Sequence, residues 1–441
     1  MSLRSSIARI DWARLNYALI PSARTRRRRV ATPPWERSAG NSSRLWRLYR
    51  SFTAEGRVLF VATLVTAAFS VDVTHTKVYV LMAVLGSALV ASLVVSRWLP
   101  SPELSLRVHA PPRVFVDAEA AFVVECERTV PGTSTPLLRA EGPFLPYFGR
   151  WISRPPPIPG VAAGMSASAT FKARFTERGE IALGRFRVSA LVPLGLASGP
   201  PIESAPIRLR IVPRPANVLS LALPLSTKHQ PGGIALASKT GESMDLRGVR
   251  PYRKGDRIRD LSARTWARTG KPAVREYQEE YFTRVGVILD CVAPLGARSG
   301  ASDDAFEAAV SLTAGIVARL GRGEALVDLL VTGGEVHALT LGRSLGFLEQ
   351  ALDHLAVAEM EQSVDRTRLL KLLTPYLARL SAVVMVVDGW DEAREAFLRA
   401  IEKKGVRVHC VAVGAPVRMA SGAPVKTVSV DSVVSGEGLV L

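Results

Sequence analysis

Apolar residues are spread along the chain in three different rhythms, and each rhythm predicts a different kind of element. Two uncharged runs come first, Val58 to Val71 and Val78 to Ser96. The second is long enough to cross a bilayer, and the first becomes so if Asp72 and Val73 extend it to the interface. The five residues Val73 to Lys77 then form a tight turn, so residues 57–98 read as a two-helix transmembrane hairpin. From 101 to 215 the texture changes to short alternating segments such as Leu104 to His109, Ala121 to Cys126, Ala167 to Phe175 and Ile207 to Val212. Gly, Pro and Ser clusters punctuate them, which predicts an all-β sandwich. Thr176 to Ile181 reads as a turn between two of its strands.

Beyond a connecting segment, 216–283, residues 284–441 alternate strand and helix. Strands are expected at Val285 to Leu289, Ala325 to Val331, Ala382 to Val387 and Val406 to Val413. Helices are expected at Asp303 to Leu320, Leu345 to Leu355, Arg366 to Leu377 and Asp391 to Glu402. Such alternation implies an α/β doubly wound domain, a parallel sheet with helices on both faces. Ligands in that architecture gather at the carboxyl ends of the strands, where Asp290 and Asp388 would share one rim. The bland role for these carboxylates is to cap helices or to be neutralised by an arginine, one from the preceding basic segment for instance.

Composition adds a membrane and subtracts some chemistry. The 441 residues exceed one ordinary core, and a mean hydropathy of +0.17 is high for a soluble protein. Only Cys126, Cys291 and Cys410 occur, too far apart for zinc spacing or a disulfide framework, which suits a reducing compartment. The net charge is +18, and residues 1–57 hold thirteen arginines against Asp11, Glu36 and Glu55. That arm, 1–56 with its run Arg24 to Arg29, reads as a flexible polybasic segment beside anionic lipid. Nucleic acid is the weaker reading, because no recognition helix or aromatic-interleaved sheet accompanies the charge. Arg44, Arg47, Arg50 and Arg57 precede the hairpin and Arg97, Arg107 and Arg113 follow it, so both termini are expected in the cytoplasm of a cell membrane protein. The hairpin starts too far in, with no small-residue cleavage pattern, to be a removed signal.

The densest charge inside the folded part lies at Gly241 to Tyr277, which carries ten Lys or Arg. Asp245, Asp256 and Asp260 balance only a few of them. One reading is structural: Gly255-Asp256 is a tight turn whose carboxylate caps a helix near Ile258, with Arg250, Arg259 and Arg268 in ion pairs. The other is a recognition surface for an acidic partner, since guanidinium forks bind carboxylates in pairs.

This stretch reads Arg250-Pro251-Tyr252-Arg253-Lys254-Gly255-Asp256, then Arg259, then Ala267-Arg268-Thr269-Gly270, then Val274-Arg275-Glu276. In order and spacing it resembles the domain-of-unknown-function family fifty-eight, whose plan, from about residue 45 onward, also includes the apolar pair, the β domain and a von Willebrand factor A-like domain. The resemblance implies a MoxR-type AAA+ ATPase as partner, in systems thought to assist maturation of other proteins. With that partner, the chain reads as a non-enzymatic adaptor, with Arg250, Tyr252, Gly255, Asp256, Arg259, Arg264, Arg268 and Arg275 as partner-binding residues, no cofactor and no metal.

The chain departs from the pattern where Leu261-Ser262-Ala263 replaces Ile, Asp or His, and Trp, and where Val192-Pro193-Leu194-Gly195-Leu196 replaces Asp-Pro-Phe-Gly-Leu. The A-domain ion site needs Asp-x-Ser-x-Ser, but Asp290-Cys291-Val292-Ala293-Pro294 offers no side-chain oxygen at Val292 or Pro294. A divalent-metal-dependent binding module with a degenerate site stays as the alternative. A thiol hydrolase built on Cys291 with His337, His354 or His409 is a third class, set against an inert buried thiol. Gly321-Arg322-Gly323 and Gly333-Gly334 lack the Gly-Lys-Ser/Thr ending of a phosphate loop, so no ATPase site is expected.

Overall fold

The computed structural model describes residues 51–69, 77–128, 131, 134–223, 246–256, 258–277, 284–294, 301–323, 325–333, 335–341, 346–361, 364–414 and 425–441. The basic arm and the turn expected at 73–77 fall almost wholly outside these residues. The chain forms two compact units, one reaching to Arg214 and including Leu352–Val357, the other comprising Pro215–Ala351 and Ala358–Leu441.

The first unit begins with two helices packed on each other, α1 (Ala54–Phe69) and α2 (Val78–Trp98). At 1.5 Å per residue, the 21 residues of α2 span roughly 31 Å, about the thickness of a hydrocarbon core. The 16 residues of α1 reach only roughly 24 Å. Among the described residues α2 is therefore the one helix long and apolar enough to cross a membrane. Thr63, Thr66 and Ser87 return their hydroxyls to helix carbonyls three or four residues back, so these polar groups need no water.

The helix pair is seated at one end on a turn of the β-rich domain. Phe52, Leu89, Val192 and Ala197 are buried together there. Thr53 N donates to the Leu196 carbonyl at 3.0 Å and Thr53 Oγ1 to the Gly195 carbonyl at 2.7 Å. Gly56 packs so tightly that a Cβ would stand 2.0 Å from the Leu196 oxygen, so no larger residue fits. Arg139 closes the joint with a two-pronged bond to Glu55, at 2.7 and 3.2 Å.

The β-rich domain itself contains β1 (Ser105–His109), β2 (Arg113–Phe115), β3 (Glu119–Glu127), β4 (Leu138–Glu141), β5 (Gly149–Ser153), β6 (Ser166–Phe175), β7 (Gly179–Leu183), β8 (Arg187–Ala190), β9 (Ile202–Glu203) and β10 (Ile207–Val212). They form three sheets of orders β1-β3-β6-β5, β2-β10-β7 and β4-β8-β9 around a shared core, where two larger sheets are expected of a sandwich. Alternation works as the sequence predicts: Phe122 and Val124 of β3 face inward opposite Phe171 and Ala169 of β6. Phe122, Trp151, Phe171 and Phe186 stack edge to face at the centre, and Trp151 Nε1 donates to the Pro143 carbonyl.

The second unit starts with β11 (Val218–Ser220) and a hairpin of β12 (Leu246–Pro251) and β13 (Ala273–Tyr277), between which lies the short helix α3 (Ala263–Thr269). Then follow β14 (Arg284–Asp290), α4 (Ala301–Gly321), β15 (Leu326–Thr332), β16 (Val336–Leu341), α5 (Phe347–Ala356), α6 (Arg366–Leu377), β17 (Ala382–Asp388), α7 (Glu392–Glu402), β18 (Arg407–Val413), β19 (Val425–Val428), α8 (Val430–Ser435) and β20 (Leu439–Val440). Strand order in the main sheet is β16-β15-β14-β17-β18-β19, all parallel except β16. Ile288, Leu330, Val383, Met385 and Cys410 pack on one face against Leu369, Leu373, Phe397 and Ile401 of α6 and α7. The alternate residues Val285, Val287 and Leu289 are equally buried on the other face, where α4 packs. The sheet is thus mixed, with a reversed edge strand that hydrophobic runs alone did not predict.

Candidate functional site

Within the β12–β13 hairpin the sequence dictates a tight reversal. Gly255 adopts φ 111°, a conformation that side chains disfavour, and brings Asp256 back over the strand end. Its carboxylate accepts from both terminal nitrogens of Arg250, at 2.7 and 2.8 Å, and from Arg253 N at 2.8 Å. The Arg250 guanidinium, followed by the Arg253 amide, holds this carboxyl down to about 2. Asp256 therefore does not cap a helix near Ile258, as the spacing suggests, because Arg250 and the turn amide claim it. Residues Ile258–Asp260 form a single 3-10 turn, and the helix proper starts at Ala263, where Ser262 Oγ accepts from Thr265 N. Gly270, at φ 70°, ends it.

What the hairpin keeps for itself and what it displays are now separable. Arg250, Gly255 and Asp256 build the turn. Tyr252, Arg264, Arg268 and Arg275 are exposed, with Arg253, Lys254 and Lys271 beside them in the sequence. Among the described residues no carboxylate pairs with the side chains of Lys254, Arg264, Arg268, Lys271 or Arg275. The side chain of Arg259 lies outside the described residues. The sequence reading missed two further members: Trp266 is half-exposed on α3, and Ile258 is 78% exposed in the 3-10 turn. The α3 sequence Ala-Arg-Thr-Trp-Ala-Arg-Thr has no apolar stripe for Trp266 to join, and α3 buries none of its residues. That missing stripe was the available signal.

The sheet rim carries the second constellation. β14 pairs with β17 so that Leu289 stands opposite Val386, which brings Asp290 and Asp388 to the carboxyl ends of adjacent strands as expected. Both are buried. Asp290 Oδ2 accepts from Arg394 Nε at 2.9 Å and from Arg366 Nη2 at 3.4 Å, while Oδ1 faces Val292 N at 3.3 Å. Arg394 is 0% exposed. Its remaining nitrogens donate to Asp391 Oδ2 and to the Val292 carbonyl, and Asp391 also caps α7 through Arg394 N. Arg366 lies over the Phe397 ring at 5.5 Å.

A guanidinium thus stands at the rim, held by two carboxylates and a carbonyl. The arginines that bond Asp290 come from α6 and α7. For a divalent ion to reach Asp290 it would have to displace a buried, fully bonded arginine, at a cost of several kcal/mol. Cys291 is buried, with Sγ 3.9 Å from the Leu289 carbonyl. Burial, and secondarily the nearby Asp290, pushes the Cys410 thiol of β18 up to about 12.

Residues 248–419, which include both constellations, match the family model described as Protein of unknown function DUF58. This region belongs to the DUF58 family. The match opens inside β12 of the hairpin and runs through β18, so the DUF58 region comprises the cationic hairpin and most of the main sheet. The chain has no match among curated proteins.

Proposed function

We propose that this protein is a membrane-anchored adaptor without catalytic chemistry of its own, which binds a MoxR-type AAA+ ATPase or its client through the hairpin of its DUF58 region. The observation that carries the reading is the surplus of display over need in that hairpin. One arginine and one carboxylate suffice to build the turn, yet five exposed cations without a carboxylate partner among the described residues stand beside Tyr252, Ile258 and Trp266. Charge with exposed aromatic and aliphatic groups suits an acidic protein surface with an apolar centre. The α/β unit is read as von Willebrand factor A-like, in support of a binding role.

The proposed inner-membrane anchor is a two-pass hairpin of α1 and α2, and the exposure of their apolar side chains supports it. A core helix of a soluble protein hides its apolar side chains, whereas Leu81, Val84 and Val90 of α2 and Val58, Leu64 and Phe69 of α1 are exposed. The arginines flanking the pair support cytoplasmic ends, on the side where the proposed ATPase would lie.

The test uses the full chain in lipid nanodiscs as bait for a MoxR-type ATPase. Trp266→Ala combined with Arg268→Glu and Arg275→Glu should lower capture at least tenfold, which corresponds to about 1.4 kcal/mol. The thermal melt should not move, because none of the three side chains is packed in the core. Capture equal to that of the unaltered chain would refute the hairpin as the contact.

A further inference from the structure

We infer that Leu194 is a membrane-interface anchor, through which the β-rich domain itself rests in the boundary between lipid headgroups and acyl chains. The inference rests on the two-pass hairpin proposed above and extends it from the helices to the domain they carry.

Leu194 is unusual in conformation and in exposure at once. Among the described residues only Asp117 and Leu194 are non-glycine residues with positive φ. Asp tolerates the left-handed region through its short polar side chain, but leucine gains nothing there and pays the steric cost of its Cβ. At φ 74° and ψ −8°, Leu194 holds its side chain 77% exposed. A strained backbone that presents a bare leucine to water is doubly unfavourable. The same arrangement becomes favourable where the side chain leaves water.

Position identifies where it goes. Gly195 N closes the turn on the Val192 carbonyl, and the next residues are the ones bonded to Thr53 at the start of α1. Val192 and Ala197 are buried with Phe52 and Leu89, against Leu93, Val95 and Leu99 at the far end of α2. Leu194 therefore projects from the turn that seats the start of α1 and the end of α2. There the apolar surface of the helices begins, with Val58 and Val61 exposed on α1 and Val90 and Val94 on α2. Arg97 and Trp98, the latter 82% exposed, close α2 with the pair of residue types that sit at headgroup level. A leucine held in that plane by the Thr53 and Gly195 bonds meets lipid.

Single cysteines carrying a polarity-sensitive fluorophore test this in the full chain in nanodiscs, with nitroxides attached to the lipids near the headgroup. Cys126, Cys291 and Cys410 are buried and stay unlabelled in the folded protein. Labels at Leu194→Cys, Trp98→Cys, Val90→Cys and Arg185→Cys are compared, Arg185 lying beyond the other end of β8. Expected is a blue-shifted emission at 194 and a loss of fluorescence to lipid nitroxides equal to that at 98, with none at 185. If 90 and 98 are quenched while 194 behaves like 185, the anchor is wrong while the membrane placement of α2 stands. If 90 and 98 also escape quenching, hairpin and anchor both fail.

Discussion

Asp256 sits beside more positive charge than it can neutralise, and its own pairing with Arg250 decides which arginine the turn consumes. Its folded-state carboxyl lies at about 2, below the ordinary 3.8, because Arg250 and then the Arg253 amide bond to the charged form. A depressed carboxyl contributes its stabilisation above the unfolded value, and that contribution fades as pH falls through the folded value. The turn should hence keep its shape through pH 4 and loosen only toward about 2. In a pH series of amide spectra, the Arg253 N–H resonance should titrate with that low midpoint; a midpoint at the ordinary carboxylate value would show that the pairing with Arg250 does not form in solution. Residue types and spacing in the sequence announced the turn, because Gly-Asp after Arg-Lys is legible chemistry. They did not announce which atoms Asp256 would accept from, since a helix cap and a strand-end pairing have the same sequence.

Helix α7 illustrates at the level of an element what periodicity contains and what a reader overlooks. Its apolar stripe runs through Phe397, Leu398 and Ile401, and one turn back along the same face lies Arg394. The burial of that arginine was thus written in the spacing, while its charge made it look like a solvated position. Other elements were less legible. The β12–β13 hairpin is too rich in arginine to show an alternating pattern, and β16 is a short run in which His337 and Thr340 interrupt the apolar residues, so it does not stand out as a buried strand. Breaking the rim pair should be expensive, since Arg394→Met leaves Asp290 buried with a weaker partner. Urea denaturation should register a loss of about 3–5 kcal/mol. The double variant with Asp290→Asn should lose less than the sum of the two single changes, as coupled partners do. Additive losses would mean that Asp290 and Arg394 do not act as a pair.

Across the whole molecule, the order of parts was readable: apolar helices, a β-rich domain, then α/β. The change of rhythm from long runs to alternation to strand-helix repeats follows directly from what each part must bury. What the sequence could not convey is how the connection into the second unit is fastened. Residues 215–223 do not hang free: Ala216 N donates to the Ser311 carbonyl of α4 at 2.9 Å. β11 pairs in parallel with β20, and Leu441 N and O bond to Ser220 O and Ala222 N. Gly315 makes this approach possible, because a Cβ there would stand 2.3 Å from the Ala216 oxygen. Gly315→Val should push the connector off α4 at a cost of about 1–3 kcal/mol. Limited proteolysis should then cut within 215–223, and a connector that stays resistant would show the contact to be dispensable. A consequence follows for a force applied to the chain at Pro215. It enters the second unit along residues 215–223, so it reaches the small clip of β11 and β20 before it reaches the six-stranded sheet, and the clip peels first while the sheet stays whole.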